Sequence, residues 1–286
     1  MSTAVTASTA GQRSDEIRRA RQGLLVFAAF LAPLSLFGYW FNIAFPDLPL
    51  NLPYWPLGFA PGLAGVLTRL VRREGFADVS FRWPRRARQA ALLAFGLPLV
   101  VGTIGFGAAY LLRLVEFVPP AFPVAVSPPA AQFGVFLAFT LTIGLLLTLP
   151  AAGVGEEIGW RGYLLPRLIQ ADVPQPILIS VLIWGAWHIP IVVAGVYLAG
   201  SSTPFTIVML MITAAAAGFI LAWLRLGTGS IWPCVLLHAA WNDIINGTFM
   251  PATHGANARL WVGETGILVV LVLLLITPLV RRAWRS

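Results

Sequence analysis

The stretch Gly155-Glu156-Glu157-Ile158-Gly159-Trp160-Arg161 sets two carboxylates and a guanidinium between long apolar segments. On a helix Glu157 and Arg161 are i and i+4, so they share a face and can pair. Glu156 points about 100° away and is left for another task. An ionisable cluster at membrane depth is costly and marks function by default. Read in isolation, the stretch also fits a surface ion pair in a cytoplasmic loop.

The surroundings favour the membrane. Of 286 residues, 58% are hydrophobic and only 10% are charged. A soluble domain carries about 25% charged residues, so the composition indicates an integral membrane protein. The formal charge is +8 and every basic side chain is arginine. In a membrane protein such a balance sets orientation and argues only weakly for nucleic acid, so none is expected as a partner. The single cysteine, Cys234, lies in an apolar run and excludes an intrachain disulfide.

Working outward, eight apolar spans are expected. They are Leu24–Phe45, Tyr54–Val71, Ala90–Leu112, a fourth from Gln132 with a kink at Pro150, a fifth from Pro174 and Pro176 to Ala199, Phe205–Leu224, Ile231–Asn246 and Trp261–Val280. The fourth carries the Glu-Glu stretch and ends near Leu165 or Leu168. Residues 1–22 read as a disordered basic tail, and 23–130 as three N-terminal spans. The fold class is thus all-α, a polytopic membrane protein with about eight transmembrane helices. Arginines cluster in the tail, the 72–88 loop, the segment of Arg161 and Arg167, the turn after Arg225 and the C-terminus. The positive-inside rule makes that side, and both termini, cytoplasmic.

Polar groups recur in the later spans. Trp184 and His188 are i and i+4, as are His238 and Asn242. At 1.5 Å per residue His188 lies ~18 Å, and His238 ~10 Å, from the arginine-rich side. Taken one by one, such residues read as interhelical glue, and Trp184, Trp187 and Trp241 as filler. Together, carboxylates, imidazoles and an amide can activate water, stabilise an oxyanion or bind a divalent metal. No His-Glu-x-x-His and no Gly-x-Ser-x-Gly motif is present.

These motifs resemble the CPBP family of CAAX proteases and bacteriocin-processing enzymes, also called ABI. Its Glu-Glu-x-x-x-Arg is matched by Glu156, Glu157 and Arg161. Its Phe-x-x-x-His is matched by Trp184 to His188, with Trp for Phe. Its His-x-x-x-Asn is matched by His238 to Asn242. The resemblance makes 131–247 the catalytic core and leaves 248–286 as a last transmembrane helix and basic tail. It implies an intramembrane endopeptidase with a polar cavity open to the cytoplasm, acting on a peptide or protein substrate that can be lipidated. Glu156 is then the general base, helped by His188; His238 and Asn242 hold the oxyanion; Glu157 and Arg161 orient the cluster. No cofactor is favoured. Zinc held by Glu156, His188 and His238 is the alternative, though asparagine is a poor zinc ligand. The rival readings are a non-catalytic scaffold or bacteriocin-immunity protein of the same fold, and a small transporter. No internal repeat supports the last.

Overall fold

The computed structural model describes residues 2–49, 52–120, 127–198 and 200–285. Parts of the connections between the first and second and between the third and fourth expected spans lie outside those residues. Apart from loops and turns, the described chain is helical, with one short antiparallel pair, β1 (Glu116–Phe117) with β2 (Thr253–His254). The helices are α1 (Ser2–Ala44), α2 (Trp55–Arg72), α3 (Ala87–Leu111), α4 (Pro129–Gln170), α5 (Pro176–Trp187) and α6 (Ile189–Val193). They continue with α7 (Thr203–Thr228), α8 (Trp232–Trp241), α9 (Ala258–Trp261) and α10 (Ile267–Arg285). Five of the described helices are long and apolar enough to cross a membrane: 11–44 of α1, α3, α4, α5 with α6, and α7. The all-α membrane class holds. The remaining expected spans coincide with α2, α8 and α10.

Four details differ from the sequence reading. The tail is helical rather than disordered, because α1 runs back to Ser2. Contacts with other elements anchor it: Arg21 donates to the Ala171 carbonyl, Arg13 pairs with Asp172, and Arg72 of α2 donates to the Arg19 carbonyl. The fifth span closes at Val193, not Ala199, and the last begins at Ile267, not Trp261. Pro150 does not interrupt α4. The helix widens there into a π segment, Leu149–Gly155, one of three in α4 with Thr140–Gly144 and Trp160–Leu164. Looser i→i+5 winding accommodates a residue that has no N–H to give. Between the last two π segments a single α turn, Glu156–Gly159, carries both carboxylates.

Gly58 and Gly62 of α2 face Gly155 and Gly159 of α4. A Cβ on Gly62 would lie 2.4 Å from the Gly155 carbonyl oxygen, and one on Gly159 only 2.3 Å from the Pro61 carbonyl carbon. The two backbones therefore touch, the small-xxx-small packing of membrane helices.

The arginine-rich end of the bundle is closed by ion pairs. Arg69 and Arg167 share Asp78, Arg72 and Arg167 share Glu74, and Arg225 donates to the Asp78 carbonyl. Glu74 and Asp78 lie in the loop between α2 and α3. Burial pushes both carboxyls up, but hydrogen bonds outweigh it: Arg167 and Arg72 act on Glu74, Arg69 and Arg167 on Asp78. Both are held below their ordinary values.

Two predictions follow from this packing. Gly159→Ala should lower the melting temperature sharply, since overpacking costs about 1–3 kcal/mol or more. Gly134→Ala should not, because nothing lies within 4 Å of its Cβ and alanine favours helix by up to ~1 kcal/mol. Equal melting of the two in detergent would refute the backbone contact. The ion-pair loop predicts an acid limb. A depressed carboxylate gives its stability above the unfolded pKa, and that stability is lost as pH falls through the folded pKa. Melting temperature should therefore hold near neutrality and fall below about pH 4. Asp78→Asn should start lower at pH 7 and show a shallower acid fall.

Candidate active site

The α2–α4 contact places Tyr54, just before α2, beside the first carboxylate. Tyr54 donates its hydroxyl to Glu156 Oε1 at 2.6 Å. Glu156 Oε2 accepts the indole N–H of Trp160 at 3.1 Å and of Trp184 at 2.8 Å. Glu156 is fully buried, with 0% exposure. Three neutral donors from three elements thus replace water around the carboxylate. Glu156 lies behind the wall of the cavity described below, in a polar nest.

Glu157 points the other way, as its helical offset requires. Its Oε1 accepts from Arg161 Nη1 at 2.8 Å and lies 2.8 Å from His238 Nδ1. The contact with a carboxylate assigns the proton to Nδ1, leaving Nε2 unprotonated in the neutral ring. That Nε2 is 3.9 Å from Glu156 Oε1. Arg161, 1% exposed, also lies 4.4 Å from the centre of the Trp184 ring. Among the described residues Glu157 Oε2 and Arg161 Nη2 make no hydrogen bond. The ion pair is thus single-stranded rather than a bidentate fork.

His188 caps α5. Its Nδ1 is 2.9 Å from the Trp184 carbonyl, so it donates there and again leaves Nε2 free. Its ring stacks on Tyr197, with centroids 5.7 Å apart, and meets Trp184 and Trp187 edge-on. The histidine beside Glu156 is therefore His238, where the sequence reading paired Glu156 with His188. Asn242 opens a fourth π segment, Asn242–Phe249, that extends α8. Its side chain is half-buried on the cavity wall.

That cavity, about 410 Å³, is lined by Tyr54, Trp184, His188, Tyr197, His238 and Asn242 among others. It runs toward Pro46, Pro53, Leu198, Arg259 and Glu264. These belong to the end of the bundle opposite the arginine-rich loop 73–86. If arginines mark the cytoplasm, the cavity faces away from it.

The sequence reading also missed residues. Tyr54 was read only as the start of a span, and Trp184 as filler, yet both hydrogen-bond Glu156. Glu264 accepts from Tyr197 and from Asn246, each at 2.9 Å. The paired Gly-x-x-x-Gly spacings, Gly58 to Gly62 and Gly155 to Gly159, were the signal that could have brought Tyr54 to Glu156.

Among the described residues no group of three or more His, Cys, Asp or Glu side chains is placed to hold a metal. Both Glu156 oxygens already accept hydrogen bonds. Cys234 is buried, with its sulfur against the Leu221 carbonyl, and takes no part.

Residues 137–244 match the family model described as type II CAAX prenyl endopeptidase Rce1-like. The match spans all three motifs. No curated protein matches the chain.

Proposed function

With that CAAX-protease-like membrane endopeptidase family as the premise, we propose that the chain hydrolyses a peptide bond using a water activated at Glu156 and His238. The observation that carries the reading is the approach of Glu156 Oε1 to His238 Nε2, 3.9 Å apart beside a cavity. That separation is too long for a hydrogen bond and suits a shared water. Glu156 takes a proton from the water, whose oxygen attacks the peptide carbonyl carbon. Asn242 donates to the resulting oxyanion. The proton passes to the amine nitrogen as the C–N bond breaks, so no group is consumed. Glu157 and Arg161 fix the His238 ring, and the Trp184 carbonyl fixes His188.

One observation favours a second reading. A wholly buried carboxylate with three donors is also what a structural polar centre looks like. A scaffold or immunity protein of this fold would keep that centre without turnover.

We further propose that eight helical passes cross the membrane with both termini cytoplasmic. The substrate would be a peptide or lipidated protein reaching the cavity from the membrane or from its far side. Reporter fusions should read cytoplasmic after residue 80 and extracytoplasmic after residue 202. The reverse pattern would overturn this orientation and turn the cavity mouth to the cytoplasm.

Glu156→Gln keeps size and shape but removes the base. Peptides in membranes from a deletion strain should be compared after complementation with each form at equal expression. Cleavage should fall at least ~100-fold with Glu156→Gln and about 10²–10³-fold with Asn242→Ala. The double variant should lose less than the product of the two. A parental peptide pattern with Glu156→Gln would leave the scaffold reading in its place.

A further inference from the structure

The cavity wall carries a cation that the hydrolytic reading does not use. Arg259, on the short helix α9, lines the same cavity as His188 and His238. Its stem lies in a notch made by Gly200. A Cβ there would come within 2.9 Å of Arg259 Cδ, and Gly200 has φ +115°, a conformation side chains rarely adopt. The notch thus holds the arginine's stem against the chain beside the cavity.

Two carboxylates, Glu264 and Asp243, share the cavity lining with Arg259, and each accepts from neutral groups. Glu264 Oε2 accepts from Tyr197 and Asn246. Asp243 accepts from Thr148 at 2.6 Å. Among the described residues Arg259 makes no ion pair. A half-buried guanidinium with five donors is costly to leave without a hydrogen-bonded anion. Its planar fork matches a carboxylate in two parallel hydrogen bonds.

We propose that Arg259 is an anion-accepting subsite that binds a carboxylate of the peptide occupying the cavity. This rests on the endopeptidase reading, which puts a peptide there. A peptide is favoured over a lipid headgroup because the cavity that Arg259 lines is continuous with His188, His238 and Asn242. An occupant at Arg259 therefore shares its space with the scissile segment. The subsite fixes how far the cleaved bond stands from the charged group, and so sets which bond is presented.

Binding tests this without turnover. Full-length protein carrying Glu156→Gln is placed in nanodiscs of neutral lipid. Two dansyl-labelled apolar hexapeptides are titrated, identical except for a C-terminal acid or amide. The acid should bind at least ~10-fold tighter, the scale of one charge-assisted contact. Adding Arg259→Gln should abolish the difference, and Arg259→Lys should keep part of it, showing that the variants fold. Indistinguishable binding of the two probes, at whatever affinity, overturns the proposal. So does an acid preference that survives Arg259→Gln. An Arg259 effect seen only with anionic lipid in the disc also overturns it, assigning the arginine to a headgroup phosphate. None of these outcomes bears on whether Glu156 is a base, because cleavage is measured separately.

Discussion

Backbone contact between α2 and α4 is the constraint from which the rest of the molecule follows. Lipid offers no hydrophobic force to bring two apolar helices together. Close approach through Gly58, Gly62, Gly155 and Gly159 supplies dispersion in its place. The contact has one chemical result above all: it delivers the Tyr54 hydroxyl to a carboxylate 102 residues away. It also lets Arg69 reach across to the Gly162 carbonyl. Without it, Glu156 would sit in an apolar bundle with an oxygen unsatisfied.

The second constraint is the cost of burying charge. Glu156, Glu157 and Arg161 are almost completely removed from solvent. Removing one member of a buried pair costs about 3–5 kcal/mol, because the other is stranded. The protein meets this cost with donors drawn from several helices rather than with one ideal ion pair. The α turn between two π segments lets Glu156 and Glu157 diverge, one toward tyrosine and indoles, the other toward arginine and imidazole. The unsatisfied Glu157 Oε2 and Arg161 Nη2 show that the compensation is incomplete. Buried polar centres of this kind are found where function holds them in place.

How much was legible in the sequence depended on the range of each interaction. The Glu157–Arg161 pair, one turn apart on one helix, was readable because local geometry alone dictates it. The all-α class followed from long apolar runs. Motif spacing pointed to His188, His238 and Asn242, and all three line one cavity. What escaped was set by contacts between helices. Tyr54 and Glu264 carry no local pattern that marks them as site residues. The choice of His238 over His188 as the neighbour of Glu156 depends on helix rotation, which π winding alters by a fraction of a turn. Depth along each span could not reveal that. The helical tail escaped for another reason: its support comes from Ala171 and Arg72, far along the chain.

Trp184 touches four of the six motif side chains: its indole donates to Glu156, its ring lies beside Arg161 and His238, and its carbonyl receives His188. Where the family motif has phenylalanine, the ring faces and the carbonyl persist but the N–H is gone. The carboxylate then retains Trp160 as its only indole partner. In this chain the indoles of Trp160 and Trp184 meet the same carboxylate oxygen, so each backs up the other in replacing water there.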